Sequence, residues 1–462
     1  MKRLLTAFLL LAAGPVLAGS GDPLLDGYLR EALSGNPGLR ARDHAQQAAA
    51  AEAESARAQR WPELGLNARY TRSEGGRTID FPAGDLLNGV YATLNQFLIE
   101  RGETPVFPTI ENQSIALLRE KEQETKLSLT APLFAPAIWA NAAARDALFQ
   151  GSVAGREAYA RTLVREVKRA YYGAMQAQAA VDILTASERL LAENVRVSQS
   201  LVDAGKATRD RVLRAEAERL SVVQRLDAAT AQAAQTRRLL NLLRDVEDAA
   251  PTPLADAGTL ARPELPAAAI ATTRPELRQL DAGVAAREAG KRAATAALMP
   301  TLALVGDYGV QGEEYDFDRE SDFSTVSLVL RWTLFDAGSR GAQRRKAAAE
   351  LAQVRAERAD LERRLELARS SAAENLATSL RAIDAAQAQL QATEEGFRIA
   401  ERKREAASLS QIEFLDAERA LTESRLNLAI ARCSALDRAA ELELATATYP
   451  LSAAPVTGAA SE

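Results

Sequence analysis

PELGLNARYTR, from Pro62 to Arg72, and PTLALVGDYGV, from Pro300 to Val310, decide the fold of this chain. Each run follows an Ala/Arg-rich helical stretch that itself opens on a proline 25 residues earlier, Pro37 in one case and Pro275 in the other. Proline fixes φ and has no N–H to give, so the helix stops there and an alternating strand begins. A second alternating run then closes on Leu-Phe, at Leu133-Phe134 and again at Leu334-Phe335, and about a hundred residues of helix follow. The same order occurring twice describes a duplicated unit of strand, loop, strand and long helical hairpin.

The boundaries follow from this order. Residues 1–18 read as a secretory signal, with Lys2 and Arg3 ahead of an apolar run and small residues at Val16-Leu17-Ala18. The first repeat spans 19–248, with strands at 63–72 and 125–135 and a helical turn near 204–208. A linker with Pro251, Pro253, Pro263 and Pro266 occupies 249–273. The second repeat spans 274–447, with strands at 301–311 and 324–336 and a turn near 406–410. A disordered tail is expected at 448–462.

Composition narrows the function. The formal charge is −5, or −7 once Lys2 and Arg3 are removed with the signal, which is a poor match to nucleic acid. One cysteine, Cys433, excludes an intrachain disulfide, and one histidine, His44, excludes a histidine-based metal site or a Ser-His triad within one chain. No cofactor or metal is expected, and the composition points away from an enzyme. Past the signal no apolar run reaches the roughly 20 residues of a spanning helix. An exported chain of this kind enters a membrane with strands or not at all.

The four strands face two ways. Leu64, Leu66, Ala68 and Tyr70 stand opposite Asn67, Arg69 and Thr71; Leu127, Leu129, Ala131 and Leu133 stand opposite Lys126, Ser128 and Thr130. Leu302, Leu304, Tyr308 and Val310 oppose Asp307, while Val326, Leu328, Leu330, Trp332 and Leu334 oppose Ser327, Arg331 and Thr333. Alternation of this kind suits a half-buried sheet or a barrel wall with lipid outside and water inside. Strand lengths near the 9–11 residues that cross a bilayer, and tryptophans (Trp61, Trp139, Trp332) in or beside the strands, favour the barrel. Lipid then meets Leu64, Leu66, Leu127, Leu129, Leu302, Leu304, Leu328, Leu330 and Trp332. The lumen meets Asn67, Arg69, Ser128, Thr130, Asp307 and Arg331. Four strands close no membrane barrel, so the reading demands several copies: two give eight strands, three give twelve and room for a pore.

The two hairpins differ in length. From Pro62 to Phe134 is 72 residues, from Pro300 to Phe335 only 35, so the first loop carries 37 more, with a short helix expected from about Asp85 to Ile99. Long loops of such barrels are extracellular.

From Ala142 to about Val202 there is no proline, and the three glycines all precede Ala174. Leu163, Val167, Ala170, Ala174, Ala177, Val181, Leu184, Leu191 and Val195 recur at coiled-coil spacing, interrupted by Glu188. Phe414, Leu421, Leu428 and Ala435 form a heptad row in the second half, beside Ala417, Ser424 and Ala431. Gly205, as a left-handed stop, and Thr208, as an N-cap, mark the first turn; Ser410 caps the helix after the second. After the turns, VLRAE (Val212 to Glu216) is echoed by FLDAE (Phe414 to Glu418).

These pieces resemble the TolC family of outer-membrane efflux channels over essentially the whole mature chain. The residues that carry the resemblance are LFDAGSR (Leu334 to Arg340), the Gly-x6-Val-Leu-x-Ala pattern from Gly205 to Ala215, and its echo ending at Ala417. The resemblance implies a homotrimer whose twelve strands share one barrel in outer-membrane lipid. Its helices form a periplasmic α-helical barrel, whose turns meet a periplasmic adaptor of an inner-membrane transporter. It implies acidic gate residues at Glu413 and Asp416, and docking contacts at Gly205, Lys206, Ala207, Ser408 and Leu409. Ala407 and Leu409 depart from the family's usual glycine and arginine at the second turn, which leaves any clamp to other partners such as Arg211 or Arg404. The function implied is a passive exit duct, for small-molecule or drug efflux; type I protein secretion is the alternative within the class, and a soluble periplasmic coiled-coil scaffold is the rival outside it.

Overall fold

A computed structural model of the chain describes residues 22–256, 258–265, 274–314, 321–406 and 408–451. The expected signal at 1–18, Ala407 of the second turn and residues 452–462 of the expected tail lie outside these. The chain divides into two compact units. Of the described residues, those within 53–143 and 289–348 form the β unit and those within 22–52, 144–288 and 349–451 the helical unit.

In the β unit, β1 (Glu63–Arg72), β4 (Lys121–Phe134), β5 (Thr301–Gly312) and β6 (Asp322–Arg331) form one antiparallel sheet in the order β1-β4-β5-β6. The two repeats therefore meet at β4 and β5, and among the described residues the outer edges of β1 and β6 are unpaired. Between β1 and β4 lie β2 (Thr78–Phe81) and β3 (Gln113–Ala116), which pair with each other, and helix α3 (Ala83–Glu100). The helix falls where the sequence placed it; the two short strands carried no alternation long enough to read.

The register puts the apolar positions on one face. Leu66 faces Leu127 and Leu127 faces Tyr308, while Leu302 and Leu304 face Leu330 and Leu328. Two details depart from simple alternation. Pro132 cannot donate to the ladder, and the register shifts between Pro132 and Phe134, so that Phe134 rather than Leu133 stands opposite Leu302. The fourth strand ends at Arg331 rather than 336, leaving Trp332 and Leu334 beyond it. There the Trp332 ring N–H donates to the Leu298 carbonyl at 3.2 Å. The Arg340 guanidinium donates to Asp336 Oδ2 and to the carbonyls of Ala297 and Thr333. Asp336 in turn accepts from the backbone N–H of Gly338 and Arg340, with Ala337 and Gly338 at positive φ. LFDAGSR is thus the turn that stops the sheet and starts a helix.

Apart from α1 (Pro23–Gly35) and α3, the described helices come in matched pairs. They are α2 (Pro37–Ala58) and α6 (Pro275–Ala296) of 22 residues each; α4 (Pro136–Asp203) and α7 (Ser339–Glu405) of 68 and 67; α5 (Arg209–Arg244) and α8 (Gln411–Thr446) of 36 each. Lengths matching to within one residue in the two repeats show the duplication to be structural. Pro37 and Pro275 open their helices at the position where a missing N–H costs nothing.

The helical unit has two main kinds of core. One gathers Leu25, Leu29 and Tyr28 of α1 with Val167, Tyr171 and Met175 of α4, Leu240 of α5 and Cys433 of α8. Leu254, Ala255 and Leu260 from the segment between the repeats pack on it, as do Tyr449 and Leu451. The stretch 448–451 is therefore part of the fold, contrary to the disordered tail expected from 448: Tyr449 lies against the Lys168 ammonium and its carbonyl accepts from Arg161 at 2.9 Å. The other kind is the helical seam. Leu163, Val167, Ala170, Ala174, Ala177, Leu184 and Leu191 are buried as the heptads require, but the row then runs through Ser187, Asn194 and Ser198 rather than Glu188 and Val195. Near the turns Leu184, Leu191, Val222, Phe397, Phe414, Leu415 and Leu421 form one cluster.

Candidate functional site

The first candidate surface is the sheet. On its apolar face Leu64, Leu66, Leu328 and Leu330 are exposed, at 66%, 70%, 64% and 64%. Leu127, Leu129, Tyr308 and Val326 are exposed beside them, while Leu302 and Leu304 are half-buried. Water would not tolerate so many neighbouring leucines uncovered; patches of this size mark a membrane or a protein interface. Trp332, just past the strand, is exposed as well. Trp61, Trp139 and Trp332 all sit at the same end of the sheet, before β1, after β4 and after β6, which is the end where the chain passes into helix.

The opposite face is a connected polar row. Asn67 Nδ2 donates to Ser128 Oγ at 3.2 Å, and Ser128 Oγ to Asp307 Oδ1 at 2.6 Å. Arg69 pairs with Glu124 at 3.0 Å; Lys126 reaches Glu124 at 2.9 Å and Asp307 at 4.0 Å. Thr130 and Arg331 lie on this face, exposed. Period-two alternation reads out which residues share a face, whereas these partners depend on cross-strand register, and Glu124 was missed for that reason.

The second candidate surface is the pair of helical turns. At the first, Gly205 takes φ +68 and its N–H bonds to the Val202 carbonyl at 2.9 Å, while the Lys206 N–H bonds to Leu201 at 2.8 Å. This is the paired bond of a left-handed helix stop, at a position where any side chain would be strained. At the second turn the Ser408 N–H reaches the Lys403 carbonyl at 2.9 Å, the matching long bond. Gly205, Lys206 and Ser408 are exposed and Ala207 is half-buried. Leu409 is half-buried and packs on the cluster around Phe414.

The acids beyond the second turn divide in role. Glu413 closes a capping box: its backbone N–H donates to Ser410 Oγ, and its carboxylate accepts from the Ser410 N–H at 3.0 Å and hydroxyl at 2.9 Å. Those bonds, the backbone one first, hold its pKa below the usual carboxylate value. Asp416 is exposed and meets Arg419 at 3.5 Å, but Arg419 lies nearer Glu218 of α5, at 2.7 Å. Arg419 therefore links α8 to α5. Of the clamp residues considered from sequence, Arg404 stacks 4.2 Å from the Phe414 ring centre, and the Arg211 backbone carbonyl accepts from Gln411 at 2.7 Å. The spacing of Asp416 and Arg419, three apart on one helix face, was the available signal. Behind them Glu418 is buried and accepts from Ser187 at 2.5 Å and Thr422 at 2.7 Å.

A four-stranded sheet greasy on one face and polar on the other, open at both edges and joined to two long helical hairpins, defines a class: strand-borne membrane channel subunits with helical extensions. Residues 268–448 match the sequence model of the family described as outer membrane efflux protein. A curated relative, the proteases secretion protein PrtF of Dickeya chrysanthemi, is 31% identical over 135 residues, which cover 27% of this chain and 29% of that protein's length. Among solved structures, the CmeC outer membrane channel of Campylobacter jejuni superposes with a TM-score of 0.77 at 15% identity, over 93% of this chain and 87% of that one. The open-state MtrE outer membrane channel of Neisseria gonorrhoeae gives 0.75 at 20%, over 92% and 89%. The resemblance to the TolC family is thus supported twice: most of the second repeat matches the sequence model described as outer membrane efflux protein, and the described chain shares the fold of these channels.

Proposed function

We propose that three copies of this chain form an outer-membrane channel, a passive exit duct fed by an inner-membrane transporter through a periplasmic adaptor and carrying out no catalysis itself. The observation that carries this reading is the sheet, with leucines exposed on one face and the Asn67-Ser128-Asp307 and Arg69-Glu124-Lys126 row on the other. With β1 and β6 both open, copies join edge to edge; twelve strands place the leucines in lipid and the polar row along a lumen wide enough to conduct. The exposed tryptophans at the helical end of the sheet match an interfacial girdle on the periplasmic side. The helical turns, with Gly205, Lys206 and Ser408 exposed, are where the adaptor docks, and Asp416 is the stronger of the two gate acids.

Electron microscopy of the detergent-extracted outer-membrane protein tests this: a threefold particle with a short barrel and a helical stalk is expected. A monomer recovered from the soluble periplasm overturns it in favour of a scaffold. Replacing Glu413 and Asp416 by alanine lowers cation preference in planar bilayers if they ring the entrance, and unchanged selectivity removes them from that role. The similarity to PrtF favours a second reading of the cargo, an exported protein in place of small molecules. A strain lacking this chain separates the two: drug hypersensitivity with an intact secretome supports efflux, and a missing secreted protein supports secretion.

A further inference from the structure

The long β1–β4 loop holds an apolar surface that the duct does not use. Along α3, Leu86, Val90, Leu94 and Phe97 recur at steps of four, four and three, and all are exposed, Leu86 and Phe97 by 63% and 59%. The other side of the helix is tied to the segment that follows it. Asn88 exchanges two hydrogen bonds with the Ile110 backbone at 2.8 and 2.9 Å, Asn95 does the same with Phe107 at 2.8 and 3.0 Å, and Asn112 reaches back to Asp85. Gly84 permits this closeness, since a Cβ there would stand 2.4 Å from the Ile110 carbonyl oxygen. The helix is therefore held in one orientation, apolar side outward. Exposed apolar stripes of this kind mark interaction sites, so the outward face of α3 is read as one that a partner covers.

Charge selects the cover. Residues 73–120 hold seven carboxylates, three arginines and no lysine. Helices that lie on anionic headgroups carry Lys and Arg on the polar face, and this one carries Asp85 and Glu100. A second copy, by contrast, is already at hand, because β1, from which the segment departs, ends in an open sheet edge. The spacing of the four apolar residues is that of a helix seam in a bundle. We propose that α3 packs its apolar face against α3 of the neighbouring copies, closing a short three-helix bundle at the loop end of the barrel. This rests on the trimeric reading above.

The test places a nitroxide at Val90 or Phe97, with Gln96 on the polar side as control, in the full chain carrying Cys433→Ala and reconstituted in lipid. Collision rates with oxygen and with a nickel chelate are read, and particle symmetry is taken from the same sample. The bundle shields Val90 and Phe97 from both reagents while nickel reaches Gln96. Oxygen access without nickel access means a lipid cover, and nickel access means water; either result in a threefold particle overturns the bundle alone. A monomeric particle overturns the bundle and the trimer together. Should a label pry the helices apart, unlabelled Leu94→Cys decides: oxidation yields covalent dimers if the bundle exists, and their absence from a threefold particle refutes it.

Discussion

Arginine at Leu328 probes the membrane assignment of the sheet most directly. Leu328 lies four residues before Trp332, about 13 Å along the strand at 3.3 Å per residue. At the strand tilt of a barrel this is about 10 Å of depth below the tryptophan level, close to the middle of an apolar band about 25 Å tall. Arginine near the midplane of a barrel's lipid face costs about 2–4 kcal/mol. A trimer carries the change three times, so the assembly loses about 6–12 kcal/mol, comparable with the whole stability of an ordinary domain.

Ser327 is the control one residue away, on the other face. It stands opposite Val305, and Asp307 is one pair further along the same face. Diagonal neighbours lie about 7–8 Å apart, within reach of a long side chain, so Ser327→Arg acquires a carboxylate partner and a wet environment. The assay is the fraction of each variant recovered as unheated trimer from outer membranes at matched expression. Leu328→Arg is expected to fall well below wild type and Ser327→Arg to match it. Normal assembly of Leu328→Arg, or equal damage from both, refutes the lipid-facing assignment.

Gly309→Ala places a Cβ 2.3 Å from the Thr125 carbonyl, against backbone rather than a movable side chain, and costs about 1–3 kcal/mol; reduced trimer yield checks it. Phe414→Ala removes a ring 1% exposed, packed beside Phe397 and Arg404, and costs about 3–5 kcal/mol, read as a lower denaturation midpoint of the helical signal. The Glu413 capping box has a depressed folded-state pKa, so its contribution is complete above the unfolded carboxylate value and lost as pH falls through the lower folded one. Amide exchange at 411–414 is expected to quicken over that acid window in wild type, and Glu413→Gln is expected to flatten the dependence.

Much of this architecture was legible because it rests on short-range rules. Pro62 and Pro300 end helices whatever surrounds them, Gly205 stops one because its φ is positive, and alternation alone sorts Leu64 from Asn67. What the sequence concealed depends on neighbours distant along the chain. The bulge at Pro132 is visible only against β5, and the early end of β6 follows from the bonds that Arg340 makes to Asp336, Thr333 and Ala297. Tyr449 looked like tail because nothing local orders it; its partners Lys168 and Arg161 lie far back in α4. At the second turn, Ser410 and Glu413 stand in capping-box spacing, and the structure forms that box.

Two ion-paired groups, one on the sheet and one on α5 and α8, make different predictions for the proposed duct. On the polar face of the sheet Arg69, Glu124, Lys126 and Asp307 are two cations and two anions linked within 4.0 Å, so their fields largely cancel. At the helical turns one guanidinium, Arg419, serves two carboxylates and lies closer to Glu218 than to Asp416. That group keeps one net negative charge per chain, and a trimer brings three around one axis. Like charges so arranged favour cations in a narrow passage and resist its closing. In the proposed duct, substitutions at Asp416 are expected to move ion preference where neutral-pair substitutions of Lys126 with Asp307 leave it in place, and unchanged preference in the Asp416 variants removes that role.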